Sequence, residues 1–294
     1  MASEGMRRRT TVGLLAVMAL VAITAGVSYR LIREANPDVP IGPYSGPLPQ
    51  LNAREALLGQ TNLPTWVFLG IGQVLPPGWD SGRILLVNIH ARVGSTHIPW
   101  RDITNTTTYD AGLIASISSL DLERTHVYLS VQEEMDGLGD VHGTPEEFRA
   151  FYDKIDRLAA TYAPDAKVGQ VVASADRLAT WLVRGADFYG FDPHFYGWPT
   201  PSFQAQLDDV LARMAEAGVG GRPFIVNTGG VENPDDPNAK ARWIAAMCAR
   251  LRSNMLPGFL FATWWDRAGV VNGKAVDERF DSSPRSLAAF RTCY

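Results

Sequence analysis

From residue 53 onward, short apolar runs alternate with amphipathic segments, and this alternation restricts the fold more than any other feature of the chain. Continuous apolar runs are typical of strands covered on both faces, and helices between them are the crossovers of a parallel sheet. Seven strands are predicted: Trp66–Ile71, Ile84–Ile89, Val127–Val131, Val168–Val172, Phe188–Phe191, Phe224–Val226 and Phe259–Ala262. Five helices are predicted: Asp110–Ser118, Pro145–Tyr162, Phe203–Ala217, Ala239–Asn254 and Ser283–Phe290.

The alternation predicts an α/β fold, a (β/α)8 TIM-type barrel. No G-x-G-x-x-G or G-x-x-x-x-G-K-S loop follows a predicted strand, which makes a nucleotide-binding doubly wound sheet a weaker interpretation. An eight-stranded barrel needs one strand more than the seven predicted. The deficit lies before Val127, where the chain is short, so the first quarter of the barrel is expected to be compressed or irregular.

The N-terminal residues resemble an export signal. Arg7, Arg8 and Arg9 precede the uncharged apolar stretch from Thr10 to Tyr29. Such a pattern predicts a signal anchor or signal peptide over 1–30, and places the rest of the chain on the extracellular face of the cell membrane or in the medium. Five prolines between 36 and 52 predict an extended, Pro-rich linker over 31–52, followed by the barrel domain over 53–294.

Charge and composition restrict the classes of partner and cofactor that the chain is expected to bind. The formal net charge is −4 and no block of like charges occurs in the body of the chain, which argues against nucleic acid as the main partner. The histidines include no H-E-x-x-H spacing, and we predict neither a metal nor another cofactor. Cys248 and Cys293 could form a disulfide in an oxidising compartment, or remain a buried thiol and a loose terminal one.

Polar and aromatic residues follow several of the predicted strands. In a β/α barrel these positions converge on one open face. The candidate residues are His90, Glu133, Glu134, Asp136, Asp192, His194, Tyr196, Asn227, Thr228, Glu232, Trp264 and Asp266. Carboxylates that move protons and aromatic rings that stack on sugars are what glycoside chemistry requires, although each residue alone could be an ordinary loop group.

Several segments resemble glycoside hydrolase family 26, the β-mannanase-like retaining barrels. Residues 127–137, Val-Tyr-Leu-Ser-Val-Gln-Glu-Glu-Met-Asp-Gly, are similar to the strand of that family that runs into His-Glu-Met-Asn-Gly. Looser similarities follow the family's order over roughly 84–290: Ile103 to Ile117 with Tyr109-Asp110, Asp187 to Asp192, Pro223 to Gly230, Lys240 to Ile244, Phe259 to Trp265, and Asp281 to Phe290.

The resemblance implies roles for individual residues. Glu134 takes the general acid/base position, and Glu133 stands where the family has His. Thr228 occupies the position of the nucleophilic Glu, so the second carboxylate must come from elsewhere; Glu232 is the first choice, with Asp192 and Asp266 as further candidates. Because consecutive strand residues face opposite sides, one of Trp264 and Trp265 is expected to line the cleft, and the resemblance favours Trp264.

The sequence therefore predicts an exported protein that acts on a β-linked polysaccharide of mannan, glucan or xylan type, with Glu134 as general acid/base and Glu232 as its catalytic partner. Because Thr228 replaces the nucleophile, a non-catalytic carbohydrate-binding pseudoenzyme at the cell surface remains the alternative. A structural cell-envelope protein would need a large exposed apolar patch, which the alternating pattern does not indicate.

Overall fold

Eight parallel strands form a nearly closed barrel in the computed structural model, which describes residues 40–44, 47–195, 197–253, 256–271 and 274–294. In chain order the strands are β1 Ile41–Tyr44, β2 Thr65–Gly70, β3 Ile84–His90, β4 Arg92–Val93, β5 Thr96–His97, β6 His126–Val131, β7 Lys167–Val172, β8 Phe188–Phe191, β9 His194–Phe195, β10 Phe224–Gly230, β11 Phe259–Trp265, β12 Ala268–Val271 and β13 Lys274–Asp277. The barrel order is β1-β11-β10-β8-β7-β6-β3-β2. The α/β barrel prediction is thereby confirmed at the level of a nearly closed parallel sheet with helices.

Helices connect most of these strands. They are α1 Leu48–Leu58, α2 Trp100–Thr104, α3 Asp110–Ser118, α4 Met135–His142, α5 Pro145–Tyr162, α6 Leu178–Trp181, α7 Phe203–Glu216, α8 Ala239–Leu251 and α9 Pro284–Arg291. The connection from β2 to β3, residues 71–83, contains no helix, so strand and helix do not alternate there. Helix α5 begins as its sequence predicts, because Thr144 and Glu147 form a reciprocal capping box around Pro145.

The strand missing from the sequence prediction is β1, and it lies inside the predicted linker. Pro43 has no N–H to donate, but β1 forms a ladder with β11 alone. On its other side, Thr65 Oγ1 donates a hydrogen bond of 3.1 Å to Pro43 O, which joins the two ends of the sheet. A Cβ on Gly42 would lie 1.8 Å from Pro64 O, so this approach requires glycine. The prediction of a linker over 31–52 is wrong for β1 and for the first turn of α1, while residues 1–39 lie outside the described residues.

Side chains fill the barrel interior as a separate apolar cluster, distinct from the larger core between sheet and helices. The interior cluster consists of Trp66, Leu86, Val171, Phe188, Ile225 and Phe261, all buried. A barrel interior filled by side chains in this way is a packed core. A ligand site must therefore lie above it, at the carboxyl ends of the strands.

Cys248 in α8 forms a disulfide with Cys293, which follows α9. Of the two alternatives that the sequence left open, a disulfide or two separate thiols, the structure has the disulfide. It closes a loop with a sequence separation of 45 residues, for which chain entropy predicts about 4 kcal/mol of stabilisation. Within the described part of the chain, no helix is both long and apolar enough to cross a bilayer. The apolar stretch from Thr10 to Tyr29 lies outside that part.

Candidate active site at the barrel mouth

A layer of buried polar side chains covers the apolar interior at the carboxyl ends of the strands. Asn88, Ser130, Asn227 and Thr263 belong to β3, β6, β10 and β11, and each is completely buried. Asn88 is two residues past Leu86, and Asn227 is two residues past Ile225, so the period of two places them on the interior side. Polar groups in such a position need partners, since an unpaired buried amide costs about 1–3 kcal/mol.

Glu133 occupies the centre of this layer. Its Oε2 accepts a hydrogen bond of 2.7 Å from Asn88 Nδ2, and its Oε1 accepts one of 2.8 Å from Asn227 Nδ2. The backbone N–H of Glu133 also donates to Asn88 Oδ1 at 3.0 Å, so Asn88 holds the residue at two points. The Thr263 hydroxyl donates to Asn227 Oδ1, which orients the Asn227 amide group with its NH2 toward Glu133. Three strands thus fix one carboxyl group.

The backbone around Glu133 has an unusual conformation. Gln132 and Glu134, the residues on either side, have φ values of 46° and 53°, in the left-handed region that non-glycine residues rarely adopt. The backbone N–H of Gln132 donates to Ile89 O, and that of Glu134 donates to Val171 O. Each such conformation costs about 1–3 kcal/mol and persists where surrounding contacts enforce it, as is common at functional sites.

Burial raises the pKa of Glu133 well above its ordinary value, and the nearby carboxyl groups of Asp192 and Glu134 raise it further. The hydrogen bonds from Asn88 and Asn227 oppose this shift without cancelling it. Three carboxyl groups therefore interact electrostatically at the mouth of the barrel. Asp192 follows β8 and is buried, whereas Glu134 is partly exposed. In this set Glu133 keeps its proton to a higher pH than an isolated glutamate would.

An aromatic group borders the mouth on the side of β2, β3 and β11. The Trp265 ring lies 5.4 Å from Trp66 and 5.9 Å from Phe68, both edge-on. His90 packs edge-on against Phe68 at 5.2 Å, and burial lowers the pKa of His90 to about 3, with a smaller effect of Arg92. His90 is therefore a neutral imidazole in an aromatic setting.

The structure reverses the expected positions of the two tryptophans. Trp264 faces the helices: it is completely buried, its Nε1 donates to Glu278 O at 2.6 Å, and its ring contacts Trp243 and Phe290. Trp265 faces the barrel interior. The preference for Trp264 as the cleft residue is wrong, because β11 presents Phe261 to the interior and the period of two then selects Trp265.

Two of the predicted carboxylates belong to separate networks. Arg54 Nε and Nη2 pair with Asp266, whose Oδ1 also accepts from the Phe280 N–H, and Arg54 pairs with Asp281 as well. Glu232 Oε1 accepts hydrogen bonds of 2.6 and 2.7 Å from Ser282 and Ser286. These contacts join α1, the residues after β10 and the start of α9, and they use Asp266 and Glu232 to hold the C-terminal segment.

The remaining predicted residues have varied surroundings. Asp136 accepts hydrogen bonds from the N–H groups of Ala173 and Ser174, which anchors the segment after β6 to the end of β7. Thr228 donates to Pro193 O at 3.0 Å and alternates with Asn227, so Asn227 is the β10 residue that meets the carboxyl cluster. The backbone of His194 pairs with Gly229, while its side chain and the whole of Tyr196 lie outside what the structure describes.

Sequence reasoning did not select Asn88, Gln132 or Trp265 for the site. A signal for Asn88 was present, because a lone amide inside the apolar run of β3 must be paired when both faces are covered. Among the described residues, no group of three or more His, Cys, Asp or Glu side chains could hold a metal ion.

No protein-family model matches the chain, and no curated protein matches it. Several solved structures are similar to this chain in fold. A family 2 glycoside hydrolase, the β-galacturonidase of Eisenbergiella tayi, has a TM-score of 0.56 and 11% identity over 87% of this chain and 50% of that one. A β-glucuronidase of Bacteroides uniformis has a TM-score of 0.53, with 12% identity over 80% of this chain and 31% of that one.

A third similar structure, the β-D-glucuronidase of Dictyoglomus thermophilum, has a TM-score of 0.51 and 11% identity over 81% of this chain and 44% of that one. The chain covers half or less of the length of each of these three enzymes. At this level of identity the likeness concerns the fold: the barrel is one that glycoside hydrolases use. The resemblance to family 26 in particular stays a prediction.

Proposed function

We propose that this barrel is a glycoside hydrolase acting on a β-linked polysaccharide, with Glu134 as general acid/base. The observation that carries the proposal is the carboxyl cluster of Glu133, Glu134 and Asp192 at the barrel mouth, with a buried member whose pKa is raised. A proton donor beside a second carboxylate is the arrangement that glycoside hydrolysis needs. The partial exposure of Glu134 leaves it accessible to a substrate.

Asp192 is the second carboxylate in this proposal, in place of Glu232. The sequence left Glu232, Asp192 and Asp266 as candidates. Two serines hold Glu232, and Arg54 pairs with Asp266, whereas Asp192 interacts electrostatically with Glu133. We assign Glu133 the role of positioning residue, since both of its oxygens accept hydrogen bonds from strand amides.

The second candidate function is binding of a polysaccharide without cleavage. The specific observation in its favour is that β10 brings no carboxylate to the cluster: it presents the amide of Asn227 to Glu133, and Thr228, at the predicted nucleophile position, donates to Pro193 O. An amide lacks the anionic oxygen that attacks a sugar carbon. The aromatic group of Trp265, Trp66 and Phe68 would serve binding and hydrolysis alike.

Export and attachment to the membrane belong to the proposal as well. They rest on Arg7–Arg9 and the apolar stretch that follows, and the disulfide between Cys248 and Cys293 is consistent with an oxidising compartment. The polysaccharide would then be met outside the cytoplasm.

A reducing-sugar assay tests the function. The protein is incubated with mannan, xylan and mixed-linkage glucan, alongside Glu134→Gln and Asp192→Asn. We expect product from the wild type and a loss of about a hundredfold or more in both variants, the usual cost of removing a general acid or base. Glu123→Gln and Asp121→Asn, at exposed positions, are the matched controls and should retain activity.

Two outcomes would redirect the proposal. Equal product from the wild type and from Glu134→Gln would remove Glu134 as the acid. Binding of a polysaccharide by the wild type without any product would favour the second candidate function.

A further inference from the structure

A cavity of about 910 Å³ lies beside the seam between β1 and β2. Its walls come from the start of α1, from β2 and from residues 73–79, and it reaches Trp66 and Phe68, two rings of the aromatic group at the mouth. This volume is in the range of small-molecule sites. The cavity therefore adjoins the candidate active site and can hold more than one sugar residue.

Arg92 is the one charged side chain among the described residues that line the cavity. Its Nε is shielded from solvent without a hydrogen-bond partner, and its guanidinium has no carboxylate partner among the described residues. The backbone holds the residue in place, since Arg92 O accepts from the Ile71 N–H at 2.8 Å. Arg92 is partly exposed, so the rest of its guanidinium is open to the cavity, where an anion can pair with its N–H groups.

Three further polar side chains lie close to Arg92, and one of them, Gln73, is part of the cavity wall. His90 Nε2 and Gln132 Nε2 are buried without a partner in the described part of the chain, and Gln132 Oε1 is bonded to the N–H of Ala91, which lies between His90 and Arg92. Gln73, which also lines the cavity, uses its carboxamide oxygen for the Gly70 N–H at 2.7 Å, so its NH2 group is the end left for a ligand.

The remaining walls are apolar. Trp66, Phe68 and Trp79 provide aromatic surface, and prolines 47, 49, 76 and 77 complete it. Aromatic and proline faces suit the C–H faces of a sugar ring, and the planar fork of an arginine matches a carboxylate with two parallel hydrogen bonds. A sugar that carries a carboxylate combines both requirements.

We infer that this cavity is a subsite for a uronic-acid residue of the polysaccharide, with the Arg92 guanidinium pairing with the sugar carboxylate. The inference rests on the proposed function, which it makes more specific: the substrate is an acidic β-linked polysaccharide. Arg92 is a specificity-determining residue in this assignment and takes no part in bond cleavage.

The test compares two ligands that differ at the carboxylate. Binding of a β-1,4-linked tetramer of mannuronate and of neutral mannotetraose to the full chain is measured by calorimetry at low salt. We expect the acidic tetramer to bind at least tenfold more tightly, and this preference to shrink as salt is added. Arg92→Gln should bind both tetramers equally, with Arg92→Lys in between because it keeps the charge and loses the fork. Arg101→Gln, at an exposed position, is the matched control and should behave as the wild type.

Equal affinity of the wild type for the two tetramers, or binding of neither, would overturn the subsite. So would a preference that survives in Arg92→Gln or disappears in Arg101→Gln. A mannose tetramer with sulfate groups that binds as tightly as the mannuronate would overturn the assignment to a carboxylate. The binding measurement does not depend on turnover. Tighter binding of the mannuronate tetramer without product in the reducing-sugar assay would keep the subsite and overturn the proposed hydrolysis. Product in that assay without tighter binding of the mannuronate tetramer would keep hydrolysis and overturn the subsite.

Discussion

Asn227 of β10 donates a hydrogen bond of 2.8 Å to the carboxyl group of Glu133, which lies in the turn after β6. In the sheet, β7 and β8 separate these two strands, so the bond spans the interior of the barrel. Asn88 of β3 binds the other carboxyl oxygen. The position of the buried carboxyl group thus depends on three strands, and the variants below test what this connection contributes.

Asn227→Ala should destabilise the protein by about 1–3 kcal/mol, because it removes a donor from a buried carboxyl group. The lost hydrogen bond favours the charged form of Glu133, so its removal raises the pKa of Glu133 further. The loss relative to wild type should therefore be larger at pH 8 than at pH 4, measured by urea unfolding. Asn105→Ala, at an exposed position, is the control. An equal loss of folding stability at both pH values would show that the Asn227 amide does not stabilise the carboxylate form of Glu133.

Glu133→Gln should change how stability depends on pH. The pKa of Glu133 is raised in the folded state above its ordinary value of 4.5, so folding is favoured by the proton at low pH and wild-type stability falls as pH rises through the folded pKa. The variant lacks this contribution. Its stability relative to wild type should therefore increase from pH 4 to pH 8.

Urea unfolding of both proteins over that range measures the difference. His90 and His142, whose pKa values burial lowers, are present in both proteins and cancel in the comparison. Parallel curves for wild type and Glu133→Gln would contradict a raised pKa.

The two tryptophans at the end of β11 should give opposite phenotypes. Trp264→Ala should cost about 3–5 kcal/mol of folding free energy, since the ring is completely buried against Trp243 and Phe290. Trp265→Ala should cost less, because Trp265 is partly exposed, and should weaken polysaccharide binding. Urea unfolding measures the loss of stability in each variant, and calorimetry measures its affinity for the polysaccharide. If folded Trp264→Ala binds the polysaccharide more weakly and Trp265→Ala binds it as the wild type does, Trp264 and not Trp265 is the tryptophan that contacts the sugar.

Much of the barrel could be predicted from the sequence, because continuous apolar runs identify strands that are covered on both faces. All seven predicted strands are present, with ends shifted by a few residues. Strand β1 could not be recognised, since its four residues include Gly42 and Pro43. Its identity depends on tertiary contacts: the ladder with β11, and the approach of Gly42 to Pro64.

The carboxyl cluster lies at strand ends from which the sequence analysis took its candidates, but the contacts of individual side chains could not be predicted. Tyr128 packs with the interior cluster, and simple alternation from it would carry Glu134 to the interior. The left-handed conformations of Gln132 and Glu134 break that alternation and bring Glu133 between Asn88 and Asn227. Sequence periodicity cannot show such a turn, because it is imposed by hydrogen bonds to neighbouring strands.

The most direct test of the proposed hydrolysis uses its dependence on the leaving group. Glu134 as general acid must protonate the departing oxygen, and a leaving group that departs as a stable anion does not need this help. Oligosaccharides of whichever polysaccharide is cleaved are compared with the matching 2,4-dinitrophenyl glycoside, in wild type and in Glu134→Gln. We predict a loss of about a hundredfold or more in kcat/KM on the oligosaccharide and little loss on the activated glycoside. Equal losses on both substrates, or none on either, would contradict the assignment of Glu134 as the acid.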